Sequence, residues 1–467
     1  MNTAVVQEDR RTTNPRMVLG VVAVAVLLSS LDLFIVNVAL PRIAEDFSGA
    51  RISGLSWVLN AYAIVYAALL VPAGRLGDRN GHKTAFLTGL GVFVLGSALC
   101  AVAPNSAALV AFRVVQAAGA ALLTPSSLGL LLAATPAEKR ATAVRLWVAF
   151  GGLGAALGPV AGGLLVELHW RWVFLVNVPL GIIALIVGAR LLPRPTGTGG
   201  PLPDGVGALA LIASVASLIL AVVKGEDWGW ASTGVLGAVA AAVVFAAVFV
   251  ASSRRHHSPV VDPGLLKAPN FGVVLANSLL FNTAFAAMLL SAVLWMQNVW
   301  GWSALKTGLG IAPGPLVVPI VAISAGRFIA RVGVGRVLAL GGVAFAAGIV
   351  WWAQGVALHA NYASGFLGGM LLTGLGVGLT LPTGTAAGTS GLPPQQFATG
   401  SAVLTMARQL GMAVGVAILV AVLGSPHGGP ATLTAFQHGW YVVAAVSVAA
   451  GALGLAVRMP KAAGAPG

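Results

Sequence analysis

Apolar residues run through this chain in stretches of about 20, the length that crosses a bilayer as one helix, and each stretch ends at charged, Pro or Gly clusters. Fourteen such stretches can be marked: 17–39, 57–75, 84–103, 107–133, 143–167, 172–192, 205–223, 232–252, 271–299, 306–329, 335–354, 363–388, 398–424 and 438–457. The pattern predicts an all-α polytopic membrane protein. Residues 1–16 form an N-terminal tail, 17–192 a six-helix bundle, and 193–270 a linker carrying two additional helices at 205–223 and 232–252. A second six-helix bundle spans 271–457, followed by a tail at 458–467. The first run follows Arg10, Arg11 and Arg16, as a signal peptide would. It is too long, contains Asp32 and offers no convincing small-residue cleavage site, so a retained helix is expected.

Polar positions between the runs set the orientation. With the N-terminus inside, 19 of the 26 Lys and Arg fall in inner segments and 5 in outer ones, while Arg113 and Arg408 lie within runs. That asymmetry predicts both termini in the cytoplasm of a cell in whose inner or plasma membrane the chain sits. It also accounts for the net charge of +14 without a nucleic-acid partner. Composition agrees, because 8% charged residues against 58% hydrophobic ones cannot cover a soluble enzyme of this length or keep a chain disordered. The richness in Ala, Gly and Val suits a bacterial source with a GC-rich genome. Cys100, the sole cysteine, has no disulfide or metal-site partner. His256 and His257 adjoin in the basic loop 252–270 with no further ligand at suitable spacing, so no metal is expected.

A weak internal repeat divides the chain. GRLGDRNGHK follows the second run and GRFIARVGVG the tenth; Gly74, Arg75, Arg79 and Gly81 match Gly326, Arg327, Arg331 and Gly333 at one offset. Parallel repeats of this kind build many transporters, with the substrate site between the halves. Placing the second copy after run 10 rather than run 8 means that runs 7 and 8 were added between two six-helix units.

Further motifs lie in order along the first half: LDLFIVNVALPRIA at 31–44, GRLGDRNGHK at 74–83, RVVQAAGAA at 113–121, GAALGPVAGGLL at 154–165 and HWRWVFLVNVPLG at 169–181. With them the chain resembles the major facilitator superfamily, and specifically its 14-helix drug:proton antiporters. The second half matches more loosely, through 296–316 and 408–418. The resemblance implies two six-helix bundles plus two helices, working by alternating access on a proton gradient with no cofactor. It implies a proton-coupling role for Asp32 and Arg113, a cytoplasmic gate at Gly74, Arg75, Asp78, Arg79, Gly81 and Lys83, and an antiporter signature at Gly154, Gly158, Pro159, Gly162 and Gly163.

The residues themselves allow much of this. Asp32 is the one acid well inside a run of the first half, and intramembrane acids mark proton relays or substrate sites. Counting 1.5 Å per residue from the outer helix ends puts Asp32 at about 12 Å and Arg113 at about 9 Å, a common depth. Gln116 lies one turn from Arg113. Asp78 can pair with basic groups and a helix N-terminus across the bundle interface, while the second copy has Ala330 there. Asn60, Tyr62, Gln116, Asn277, Asn282, Trp295 and Gln297 are cavity candidates. Arg408, with no acid beyond Asp262 to pair with, must turn to carbonyls, Gln409 or a group of the first bundle and is expected to be structural, with substrate contact as the alternative.

Scarcity of deep acids predicts one proton per cycle and amphipathic, neutral or monocationic substrates rather than dications. The expected protein is a monomeric exporter of drugs, toxic small molecules or natural products. A dedicated exporter of one endogenous metabolite or lipid would share the machinery. A membrane enzyme or receptor scaffold would need features the chain lacks, such as HExxH, GxSxG or a Cys/His pair.

Overall fold

The computed structural model describes residues 15–47, 52–193, 199, 201–424 and 428–458. The expected N-terminal tail up to residue 14, linker residues 194–198 and 200, and the C-terminal tail from 459 lie outside the described residues. Among those described, every regular element is helical. The first half comprises α1 (Pro15–Asp46), α2 (Ile52–Asn80), α3 (His82–Ala101), α4 (Ser106–Ala134), α5 (Ala137–Leu168), α6 (Trp172–Leu175) and α7 (Asn177–Leu191). An inserted pair follows, α8 (Gly205–Trp228) and α9 (Thr233–Arg255). The second half holds α10 (Phe271–Leu294), α11 (Ala304–Ile311), α12 (Pro313–Val332), α13 (Val334–Gly355), α14 (Leu367–Ser390), α15 (Phe397–Leu423) and α16 (Gly429–Gly454).

Among the described residues, thirteen helical spans are long and apolar enough to cross a membrane, or fourteen if the two parts of α5, bent by 42° between Ala155 and Val160, make one crossing. The apolar runs located the helices but not their ends. Helices outrun them: α1 continues to Asp46, past the run that ends at 39, and α8 to Trp228, past the run that ends at 223.

Local chemistry starts and stops the helices. Asn105, Asp204, Ser232 and Ser303 cap α4, α8, α9 and α11 by accepting a main-chain N–H of the first turn. Gly81 ends α2 at φ 95° and Gly333 ends α12 at φ 92°, a conformation that suits only glycine. The two turns are the repeat seen in sequence, so the matched glycines stand for one backbone shape used twice.

The repeat extends to packing. α1 lies on α5, α3 on α4, α2 on α4, and α3 on α7; in the second half α10 lies on α15, α13 on α14, α12 on α14, and α13 on α16. The halves meet through α2 against α15 and through α5 against α11, α12 and α14. α8 packs on α9, α2 and α15, which sets the inserted pair beside one edge of that interface. Small residues make the closest crossings: a Cβ at Gly119 would lie 2.4 Å from the Phe93 nitrogen, and one at Gly415 2.1 Å from the Thr283 carbonyl.

Candidate functional site

The helices of the first half converge on one buried charge. Asp32 on α1 takes a 2.6 Å hydrogen bond at Oδ2 from Arg113 Nη1 of α4. Its Oδ1 accepts from Gln116 Nε2 at 2.8 Å and from Asn177 Nδ2 of α7 at 3.0 Å. Gln116 also accepts from Arg113 Nη1 at 2.7 Å and donates to Ser97 Oγ of α3 at 2.6 Å. Arg113 Nε donates to the Val58 carbonyl of α2 at 3.2 Å, and its guanidinium lies 3.9 Å from the centre of the Tyr62 ring. Five elements therefore share one network.

All its polar members are fully buried: Asp32, Ser97, Arg113, Gln116 and Asn177 are each 0% exposed. Removing two ions from water costs several kcal/mol apiece, and only good geometry and satisfied hydrogen bonds offset it. Here the carboxylate accepts three bonds and the cation faces a carboxylate, an amide, a carbonyl and a ring face. Arg113 Nη2 and Asn177 Oδ1 retain no partner among the described residues. In this conformation the carboxylate has no exposed surface.

A second site ties the halves together. Asp78, in the last turn of α2, accepts from the main-chain N–H groups of Ala398 at 3.1 Å and Thr399 at 2.8 Å, and from Thr399 Oγ1 at 2.5 Å. Those are first-turn donors of α15, which have no partner inside their own helix and carry the positive end of its dipole. A Cβ on Gly74 would lie 2.8 Å from the Ala398 carbonyl, so only glycine lets the two helices come this close. The basic residues of this motif do other things. Arg75 Nη2 donates to Ser258 Oγ at 3.2 Å, beyond α9, and Arg79 to Asn80 Oδ1 at 3.0 Å. Lys83 was expected at the gate. Instead it caps the C-terminus of α7 through the Ala189 and Leu192 carbonyls, each at 2.8 Å. His82 Nε2 lies 3.8 Å from Asp78 Oδ1, an ion pair only when the imidazole is protonated.

The glycines of α5 have two partners. Cβ atoms at Gly154 and Gly158 would strike the Leu27 carbonyl at 2.5 Å and Phe34 Cβ at 2.7 Å, on either side of Asp32 along α1. One at Gly163 would meet Leu305 of α11, across the interface, at 3.0 Å. Gly162 is buried, and the Pro159 side chain lies outside the described residues.

Several cavity candidates sit elsewhere. Asn277 donates to the Ala450 carbonyl at 2.7 Å and joins α10 to α16, while Asn282 donates to Ser278 of its own helix at 2.7 Å. Trp295 is 0% exposed and packs on Phe436 and Trp440. These three hold the second bundle together. Tyr62 belongs to the Asp32 network, whereas Asn60 and Gln297 are half-buried on α2 and in the π-helical turn after α10. The sequence reading missed Ser97, Asn177 and Thr399. Asn177 could have been suspected as a lone amide in the apolar stretch VFLVNVPLG.

Comparison with known proteins agrees with this architecture. A model of the Major Facilitator Superfamily matches residues 22–416. The cephamycin export protein CmcT of Amycolatopsis lactamdurans is 34% identical over 458 residues, covering 96% of this chain and 93% of that protein. The methylenomycin A resistance protein of Streptomyces coelicolor is 32% identical over 432 residues, covering 89% and 87%. In fold, the human organic anion transporter MFSD10 (TETRAN) superposes with a TM-score of 0.70 at 16% identity, over 94% of this chain and 99% of that one. By its matched motifs, its twofold packing and these relatives, the chain belongs to the Major Facilitator Superfamily.

Proposed function

We propose that this protein is a proton-coupled antiporter that exports amphipathic organic compounds across a bacterial cell membrane by alternating access, with both termini in the cytoplasm. Relatives named for antibiotic export or resistance support the substrate class. The observation that carries proton coupling is the Asp32–Arg113 pair, 2.6 Å apart and fully buried. Protonating Asp32 removes the charge that holds Arg113, Gln116 and Asn177 together, so α1, α4 and α7 loosen at one point. Losing the proton restores the network. Each change alters how α1 sits on α5, where Gly154 and Gly158 permit sliding contact, and α5 is itself half of the bundle interface.

The Asp78 contact with α15 supports a closed cytoplasmic gate in this conformation, and 17–192 and 271–457 serve as the two moving bundles. No cofactor enters this scheme, and the chain acts as a transporter rather than an enzyme. The test is uphill efflux from proteoliposomes with an imposed pH gradient. Asp32→Asn keeps size and hydrogen bonding but cannot release a proton, so it should abolish uphill export and leave downhill exchange. Uphill transport by Asp32→Asn at the wild-type rate would sink the coupling role.

A further inference from the structure

The second half carries its own deep cation, and it is poorly partnered. Arg408 lies on α15, 11 residues after its first residue Phe397, or about 16 Å along the axis. Helical side chains lean toward the N-terminus, which carries its guanidinium to α14, where Nη2 donates to Thr385 Oγ1. Nε has no partner among the described residues. Half-buried, Arg408 keeps part of its surface open although Ala407 and Gly411 beside it are buried.

A carboxylate cannot come from the surrounding chain. No Asp or Glu follows Asp262 in the sequence. Asp32 is consumed by Arg113, Gln116 and Asn177, and Asp78 by the start of α15. From the other bundle, Tyr66 of α2 lies near enough to interact electrostatically with Arg408, and its hydroxyl donates to Thr124 of α4 at 3.2 Å. Tyr66 stacks on Tyr62 with ring centres 5.9 Å apart, which adds aromatic surface. Cation, hydroxyls and rings thus converge where α15 meets α2 and α4, between the halves.

A charge at such depth normally finds a counter-charge or lines a substrate path. We propose that Arg408, backed by Thr385 and faced by the Tyr66–Thr124 pair, binds the carboxylate of an amphipathic organic acid. The preferred cargo is then carboxylate-bearing rather than neutral or monocationic. This deepens the exporter reading and rests on it for the word cargo, while the binding site stands by itself. The fork of Arg suits a planar carboxylate, the Tyr66 hydroxyl can turn from Thr124 to donate to a remaining lone pair, Thr385 holds the guanidinium in place, and the tyrosines accept an apolar body.

The experiment uses a matched pair of fluorescent probes, dansyl-leucine and its neutral methyl ester, titrated onto the full chain in lipid nanodiscs at neutral pH with protein-free nanodiscs subtracted. Wild type should bind the acid about tenfold more tightly than the ester, as expected for one charge-assisted contact in a protected site. Arg408→Gln should lose that preference while its affinity for the ester stays unchanged, and Arg408→Lys should restore part of it. Thr385→Val and Tyr66→Phe should each narrow it; if Arg408→Gln does not fold, these two decide. Equal binding of acid and ester by wild type overturns the assignment. So does a preference that survives in Arg408→Gln or, failing that variant, in both Thr385→Val and Tyr66→Phe. Uphill efflux of the same probes separates the two readings. Preference without transport removes the exporter and leaves the subsite, whereas transport of both probes without preference does the reverse.

Discussion

Arg113 and Arg408 are the two cations set inside apolar helices, one in each half, and they are treated in opposite ways. Arg113 is wholly buried and meets a carboxylate, an amide, a carbonyl and a tyrosine ring. Arg408 is half-buried and meets one threonine hydroxyl. Both bundles share a packing plan, so the fold alone does not create the difference. It comes from the absence of any acid in the second half. A satisfied ion pair holds helices together and has nothing left for a ligand. A cation without a carboxylate adds little to the fold and remains available.

The sharpest way to break this comparison is to remove each charge and measure stability. Arg113→Ala strands Asp32 as a buried, unpaired carboxylate, which costs about 3–5 kcal/mol. Its Tm should fall by more than that of any other variant named here, and the double change Asp32→Asn with Arg113→Gln should recover most of the loss. Arg408→Gln should leave Tm unchanged or raise it, because no carboxylate loses its partner. Equal destabilisation by both single changes would mean that Arg408 is as structural as Arg113.

The interface offers a smaller effect. Asp78→Asn keeps an acceptor for Thr399 but loses the charge that faces the start of α15, a change of about 1–3 kcal/mol placed on the contact between the bundles rather than within either one. Export should slow, Tm should move little, and cysteines introduced near Ala398 should label faster. Gly74→Ala should do the same by steric wedging against the Ala398 carbonyl. Unaltered labelling in both would break the link between this contact and closure.

What the sequence revealed, and what it hid, follows from helix geometry. Apolar length gives the spans, and a fixed rise per residue gives depth, so Asp32 and Arg113 could be put on one level 81 residues apart. Rotation about the helix axis is harder to read where both faces are apolar. Asn277, Asn282 and Trp295 were therefore assigned to a cavity although they turn into the second bundle. Partners on other helices were equally hidden. Nothing local to Asp78 points to Thr399, 321 residues away, and nothing local to Asp32 points to Ser97 or Asn177. Glycine spacing was legible as close contact, but not that Gly158 faces α1 while Gly163 faces α11.

The smallest effect expected sits on α1, the helix that carries Asp32, the partner of Arg113. At its C-terminal end α1 presents a further carboxylate, next to Glu45, where Asp46 Oδ2 accepts from Trp170 Nε1 at 2.8 Å and from Arg171 Nη1 at 3.0 Å. The Trp170 hydrogen bond, helped by Arg171, holds the Asp46 carboxyl below its ordinary value. Both partners of the ion pair are exposed, at 33% and 40%, so solvent and salt screen it and its contribution is slight. The sign is fixed nonetheless. A carboxyl whose folded value is depressed stabilises the fold above its unfolded value, about 3.9, and that contribution disappears as pH falls through the lower folded value. Tryptophan emission and Tm of wild type and Asp46→Asn should therefore differ slightly and constantly from neutral pH down to about pH 4, then converge in more acidic solution. High salt should shrink the difference at every pH, while leaving the cost of Arg113→Ala almost intact because that pair lies out of reach of ions. Convergence well above pH 5, or an equal salt response at Asp32 and at Asp46, would show that burial is not what separates the two pairs.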